Sequence, residues 1–422
     1  MLAILTTHPI QYQVPIWRAL AKDGRVPFEV WYFTDHGTRP NWDPEFGRSF
    51  AWDIDTLGGY PYRFLNVRKG ATPNGPWNCF LMEPLRQRLR KNNVRALWIQ
   101  GWQVLGYWQA VIEARAAGVE LWLRGESNDL APQPWWKRGL RDLKLNWLFR
   151  RADRIFYIGS HNRRLYERFK VSPEHMYSAP YAVDNDRFAK QADAIRPNRD
   201  QLRRQWGIPQ NAFCILFCGK FIPKKRPMDL VAAAQQLRRT GALANLHLLF
   251  VGSGALGAEL RRSCEVVFDS ESFTTPSLTE RCSDSSRPRA SFAGFLNQTE
   301  ISQAYVAADI LALLSDYGET WGLVVNEALA SNLPCLVSDA CGCAEDLAGG
   351  ISSFELGNIP MLASKLLYVD RSGSEAMRPP SIEEGVSAVV RAYRDAVTRP
   401  YGDCKAQFSS RERGNRSGKY AK

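Results

Sequence analysis

Along the chain, short unbroken apolar runs alternate with longer stretches in which apolar positions recur every three or four residues. In the first half the runs are Leu2 to Thr7 (LAILTT), Phe28 to Phe33 (FEVWYF), Ala96 to Gly101 (ALWIQG), Glu120 to Gly125 (ELWLRG) and Arg154 to Gly159 (RIFYIG). Runs this short and apolar predict buried strands, and segments such as Val104 to Ala117 and Leu140 to Arg150 predict helices between them. Strand alternating with helix is the pattern of βαβ units on a parallel sheet. The rhythm stops across the polar stretch AVDNDRFAKQADAIRPNRDQLRRQWGIP. It restarts with Phe213 to Gly219, Leu246 to Gly252, Ala290 to Phe295, Asp309 to Ser315 and Pro334 to Asp339. The expected fold class is therefore α/β, with two doubly wound, Rossmann-like domains facing across a cleft. Residues 1–185 form the first domain and 186–209 a linker. Residues 210–370 form the second domain, with a flexible Ser/Thr-rich insertion at 270–289. A C-terminal helical segment, 371–408, is placed as crossing back to the first domain, and a mobile basic tail, 409–422, follows it.

Composition narrows the class. The chain has 422 residues, 45% of them apolar and 14 of them Trp, which excludes global disorder and supplies two cores. No apolar run is long enough to span a bilayer, and the opening MLAILTTHPIQYQ loses its hydrophobicity after Thr6, so a cytoplasmic protein is expected. The 9 Cys are scattered and fit no disulfide framework; Cys341 and Cys343 have no neighbouring ligands to complete a zinc set, and no metal is expected. A net charge of +12 admits nucleic acid, anionic lipid or a phosphate-bearing substrate.

Three constellations choose among these. GKFIPKKRP, Gly219 to Pro227, leaves a predicted strand and enters a predicted helix, with Lys220, Lys224, Lys225 and Arg226 at the entrance. Cations beside a helix N-terminus favour a phosphate or diphosphate over a merely solvated charge run. VGSGALGAEL, Val251 to Leu260, is another strand, Gly-rich turn and helix, with Gly252 and Gly254 permitting close approach to the same ligand. SDYGETWGLVVNEALASNLPCLVSDACG, Ser315 to Gly342, holds Glu319 in a loop and Glu327 eight positions on, about 12 Å along if all helical. Carboxylates repel phosphate but accept strongly from hydroxyls, so the pair suits the two ends of a sugar nucleotide.

These residues resemble the signature of family 4 glycosyltransferases, which are retaining enzymes of the GT-B fold. The resemblance rests on ETWGLVVNEALA followed by NLPCLVSDACGCAEDL, with GKFIPKKRP, VGSGALGAEL, GFLNQTEISQAYVAADILALLS and PYAVDNDRF alongside, and covers most of residues 180–347. It implies a nucleoside-diphosphate sugar as donor substrate, no further cofactor, and Lys220 and Lys225 on the donor diphosphate. It further implies Glu327 on the ribose hydroxyls and Glu319 on the transferred sugar. Gly322, Leu323, Val324 and Gly342 would line the sugar and phosphates with backbone amides. Asp184 to Asp186 spells a metal-binding Asp-x-Asp, but it falls where the family has a hinge. The strand that carries a His near the reaction centre in that family here ends LWLRGESND, with Arg124 and Glu126 instead, which leaves a noncatalytic sugar-nucleotide- or glycan-binding homologue as the alternative.

The first half adds His8, directly after the first strand and on the ligand-binding side of a doubly wound sheet, and Glu126 as catalytic candidates. The run Asn41 to Phe64 mixes aromatic and acidic groups that can stack on sugars and bond hydroxyls or form an ordered loop. Pro134 to Arg151 sets Trp136, Leu140, Leu143 and Trp147 on one helical face among Lys137, Arg138, Arg141 and Lys144. Such a face packs on its own sheet or rests on an anionic membrane, and the second placement, at the inner face of the membrane, would suit a glycan or lipid-linked acceptor. No nucleic-acid partner is expected, because no recognised binding module is present.

Overall fold

β1 (Leu2–Thr6) shows how the first domain is assembled: Ala3 and Leu5 enter one hydrophobic core and Leu2 and Ile4 another. A strand buried on both faces reads as an unbroken apolar run, because neither face meets water. The computed structural model describes residues 1–67, 84–271, 286–350, 352–372 and 378–398. After β1 come β2 (Phe28–Tyr32), β3 (Asn41–Asp43), β4 (Arg48–Phe50), β5 (Tyr62–Phe64), β6 (Ala96–Gln100), β7 (Glu120–Arg124), β8 (Arg154–Tyr157) and β9 (Met176–Ser178). All except β3 and β4 join one parallel sheet in the order β5-β2-β1-β6-β7-β8-β9. Trp17, Trp31, Trp98 and Trp122 are fully buried in this domain. The C-terminal helix Ile382–Val397 belongs to it, adding Val386, Val389, Ala392 and Ala396 to the core of Leu2 and Ile4. Arg95 Nη2 donates to the Ala396 carbonyl at 2.6 Å.

The second domain repeats the scheme with β10 (Phe213–Cys218), β11 (Leu246–Val251), β12 (Glu265–Asp269), β13 (Arg289–Gly294), β14 (Ile310–Leu313), β15 (Cys335–Ser338) and β16 (Ser353–Phe354). These form a parallel sheet in the order β12-β13-β11-β10-β14-β15-β16. Every apolar run singled out in the sequence is a strand of one of the two sheets.

The division between the domains differs from the expected one, most of all at a hairpin and at the expected linker. The first domain comprises residues 1–38, 55–180 and the chain from Ile382, whereas Arg39–Ile54 folds with Tyr181–Ser381 in the second. Residues 186–209, expected as a linker, are helical and part of the second domain: the helices Asn185–Ile195 and Arg199–Gln205 account for most of them. Phe188 and Ala192 bury one side of the first helix and Leu202 one side of the second, and an ionic clamp adds to the attachment of the second. Arg199 Nη2 and Arg203 Nη1 converge on Asp309 at 2.6 and 3.4 Å, and Asp309 Oδ2 also accepts the Cys214 N–H at 2.7 Å. Asp184 caps the first helix by accepting the Arg187 N–H at 3.0 Å, so the Asp-x-Asp spelling is a helix start. Residues 272–285 of the expected insertion, and the basic tail 409–422, lie outside the described residues. Among the described residues no helix is long and apolar enough to cross a membrane.

Arg203 is 1% exposed, so Asp309→Ala would strand a buried guanidinium. It is expected to cost about 3–5 kcal/mol in urea unfolding. Asp193→Ala, at an exposed pair with Arg196, should cost under about 1 kcal/mol. Equal costs would refute the clamp.

Candidate functional site

In the second sheet the strand order reverses between β10 and β14, which are neighbours although β11, β12 and β13 intervene in the chain. Loops leaving such a pair run apart and open a crevice at the carboxyl ends of the strands. The loop after β10 carries Lys220 and Lys225, and the loop after β14 carries Glu319. The two meet: Lys225 Nζ donates to Glu319 Oε2, which also accepts the Ser315 hydroxyl at 3.1 Å. The backbone reinforces the pair. Asp316 N–H donates to the Lys224 carbonyl at 2.8 Å, and Gly342 N–H, beyond β15, donates to the Glu319 carbonyl at 3.1 Å. A Cβ at Gly342 would sit 1.8 Å from the Thr320 carbonyl oxygen, so only glycine permits this approach.

Gly322, at φ +109°, opens the helix Leu323–Ala330. Leu323 and Val324 therefore stand in its first turn, where backbone N–H groups lack intrahelical acceptors and the helix end carries partial positive charge. Glu327 follows on the same helix and is 3% exposed. Its Oε2 accepts the Tyr305 hydroxyl at 2.5 Å and its Oε1 accepts Gln298 Nε2 at 3.4 Å. Gln298 is itself gripped by Arg187, whose Nη1 and Nη2 reach its carbonyl and its Oε1 at 2.7 Å each.

The glycines after β11 serve packing as much as approach. A Cβ at Gly252 would lie 2.0 Å from the Gly219 carbonyl oxygen, and Phe221 N–H donates to the Ser253 carbonyl at 2.8 Å. Lys220 is thus held on a braced loop, and its Nζ meets Asp43 Oδ2 at 3.0 Å and Glu45 Oε2 at 2.6 Å. Gly254 lies against the same loop, where a Cβ would be 2.8 Å from the Phe221 carbonyl oxygen.

Ten of the expected site residues thus share the second domain, while His8 and Glu126 lie in the first. There β1 and β7 flank β6, so both residues leave the same edge of the sheet. Glu126 is exposed. His8 Nδ1 lies 2.9 Å from the Thr7 hydroxyl, and its ring meets His36 edge-on at 5.3 Å. Burial, then the neighbouring His36, pushes His8 down to about 4. Five contributors went unassigned in the sequence: Tyr305, Gln298 and Arg187, which prop Glu327, and Asp43 and Glu45. The first three lie in quoted family-like stretches. The acids lie in a run attributed to the first domain.

Because the folded chain holds His8 neutral far below its ordinary value of 6.5, the unfolded chain takes up the proton first. The stability that comes from keeping it neutral is complete above pH 6.5 and declines as pH falls toward about 4. Urea unfolding of wild type and His8→Asn should show the wild type losing ground to the variant across that window. Parallel curves would show that His8 titrates alike in both states.

Residues 212–369 match the family model described as glycosyl transferases group 1. D-inositol 3-phosphate glycosyltransferase of Salinispora arenicola is 29% identical over 187 residues, 42% of this chain and 37% of the relative; that of Nocardia farcinica is 28% identical over 212 residues, 50% and 43%. The chain thus spans less than half the length of these curated relatives. Among solved structures, Anabaena Alr3699/HepE in complex with UDP and glucose superposes with a TM-score of 0.57 at 17% identity, covering 97% of this chain and 98% of the other. The chain has the two-domain, Rossmann-like GT-B fold, and its second domain carries the segment that matches glycosyl transferases group 1.

Proposed function

We propose that the protein is a retaining, family 4 type glycosyltransferase that moves a sugar from a nucleoside-diphosphate donor to a hydroxyl acceptor in polysaccharide, glycolipid or other glycoconjugate synthesis. The observation that carries this reading is the cluster at the β10/β14 reversal: Lys225 on Glu319, Lys220 on the adjoining loop, and Glu327 on a helix that begins at Gly322. Lys220, Lys225 and the amides of Leu323 and Val324 would receive the diphosphate and stabilise it as leaving group, a role that needs no metal. Glu319 would take hydroxyls of the transferred sugar, and Glu327 those of the ribose. Attack on the donor-leaving face through an oxocarbenium-like state fits a site with no assigned covalent nucleophile. UDP and glucose in the Alr3699/HepE complex support this donor class. His8, held neutral, is in the form that accepts a proton from an acceptor hydroxyl. One observation favours a noncatalytic donor-binding homologue: β7 ends in Arg124, Gly125 and Glu126, with no His.

The helix Trp135–Phe149 supports a peripheral, membrane-facing role on the cytoplasmic side, with a lipid-linked acceptor. Leu145, Leu148 and Phe149 bury one side of it, and Trp147 stacks at 5.6 Å on Trp108. Trp135, Trp136, Leu140 and Leu143 are 85, 50, 58 and 69% exposed, so Trp147 does not share their solvent-facing side. Lys137, Arg138 and Lys144 are exposed among them, the composition of an interfacial helix on anionic lipid.

A panel of sugar nucleotides, scored for nucleotide release, tests the first reading. Lys225→Ala should lower kcat/KM roughly a hundredfold or more, and Glu327→Ala should act chiefly on donor affinity. Donor binding without turnover would select the noncatalytic homologue, and the absence of any donor binding would refute both. Sedimentation with phosphatidylglycerol vesicles tests the second: Lys137→Ala with Arg138→Ala should weaken partitioning about thirtyfold, from about 1 kcal/mol per cation. Equal binding to neutral and anionic vesicles would defeat it.

A further inference from the structure

The segment Arg39–Ile54 leaves the first domain after β2 and returns before β5, yet it folds with the second. Among the described residues its strands β3 and β4 pair only with each other, Asn41 opposite Phe50 and Asp43 opposite Arg48. At the tip, Asp43 Oδ1 accepts the N–H groups of Glu45 and Phe46 at 2.8 and 3.0 Å. This turn directs Oδ2 to Lys220 Nζ, where Glu45 Oε2 joins it, and the Phe46 ring centroid lies 4.9 Å from the same ammonium. Two carboxylates and an aromatic face thus surround a cation that the reading above assigns to the donor diphosphate. The Glu45 carboxyl sits below its ordinary value, chiefly through its hydrogen bond to Lys220. Burial would raise Asp43, but the Phe46 N–H and Lys220 together bring it down. Both are anionic at neutral pH.

The hairpin also walls a cavity of about 930 Å³, with Pro44 to Ser49 on one side and Ser253 to Ala255 and Ala293 to Phe295 on the other. Polar latches hold it there. Ser253 Oγ donates to the Phe46 carbonyl at 2.7 Å, and the Thr299 N–H donates to Asp53 Oδ2 at 3.1 Å. Phe46 and Phe50 rest on Phe295 with centroids 5.2 and 4.8 Å apart. Buried apolar contact here is modest, because β3 and β4 are largely solvent-facing. Such a segment opens at low cost compared with the strands of the sheet.

We propose that this hairpin is a gate on the donor site: Asp43 and Glu45 occupy the anion seat at Lys220, and a nucleoside diphosphate binds by displacing them. The inference rests on Lys220 being a diphosphate ligand. The physical ground is exclusion. A diphosphate delivered to Lys220 while both carboxylates stay would crowd three anions around one ammonium, and like charges that close repel strongly. Asp43 and Glu45 must leave, and both are carried by a weakly buried hairpin that can move without disturbing the sheet.

The test measures affinity for UDP, GDP, ADP and inorganic pyrophosphate by calorimetry on the full chain, with hydrogen exchange of Asn41–Phe50. D43N with E45Q removes both charges at constant volume, and should tighten the nucleotide that binds, and pyrophosphate, at least tenfold. Asp53→Ala loosens the hairpin far from Lys220 with its charges intact, and should tighten binding roughly threefold. Nucleotide should speed exchange across the hairpin in wild type. Unchanged or weaker binding by D43N/E45Q, weaker binding by Asp53→Ala, or slower hairpin exchange with nucleotide would each overturn the gate while leaving the donor reading standing. If neither wild type nor any variant binds a nucleotide or pyrophosphate, the donor reading falls, and the gate with it. Binding seen in D43N/E45Q alone would establish the gate in its strongest form.

Discussion

The ion pair of Lys225 and Glu319 stands where the second sheet reverses its strand order, and the local architecture is arranged around it. One partner leaves β10 and the other leaves β14, so the pair ties together the two loops that this topology would otherwise let diverge. Each charge compensates the other in a half-buried setting, where an unpaired cation or carboxylate would be costly. The backbone makes the arrangement stiff. Asp316 reaches the Lys224 carbonyl, Gly342 reaches the Glu319 carbonyl, and Gly342 has no room for a side chain.

The site's carboxylates are held in different ways, and the difference bears on what each can do. Glu319 is anchored at both backbone and side chain, so it keeps Lys225 positioned. Glu327 is buried on Tyr305 and Gln298, with Arg187 bracing Gln298 from the helix that follows Val183. Its place is therefore set by three elements distant in the chain. Asp43 and Glu45 come on a hairpin that, among the described residues, pairs with neither large sheet, and their contact with Lys220 connects them to this chemistry.

Much of the positive charge turns out to be structural. Arg154 meets Glu120 at 3.3 Å with both side chains nearly inaccessible, Arg199 and Arg203 share Asp309, and Arg261 meets Asp269 at 2.6 Å. These cations hold helices and strands together and present little field to a partner. The exposed cations of the helix Trp135–Phe149 differ, because they border Trp135, Trp136, Leu140 and Leu143, which stand exposed among the described residues. Net charge alone could not separate the two groups, since it counts side chains without their partners.

The ten strands were legible because a parallel strand buried on both faces leaves a contiguous apolar run, a property of neighbouring residues. The Lys loop, the glycine turns and Glu319 were legible for a similar reason, as each lies within a few positions of a strand end, and Glu327 was legible from its spacing to Glu319 along one helix. What no local window contained was partnership across long separations. Residues 186–209 read as linker because their partners are about a hundred positions away: Phe188 meets Tyr305, Arg187 meets Gln298, and Arg199 and Arg203 meet Asp309. Asn41 to Phe50 read as part of the first domain because its charges find Lys220 only in the folded chain. Side-chain periodicity is written in the order of residues, and the sequence determined the two sheets and the chemistry at their strand ends. Which charge meets which depends on distances that only the packed backbone sets, and so the tertiary structure alone decided the domain boundaries and the company Lys220 keeps.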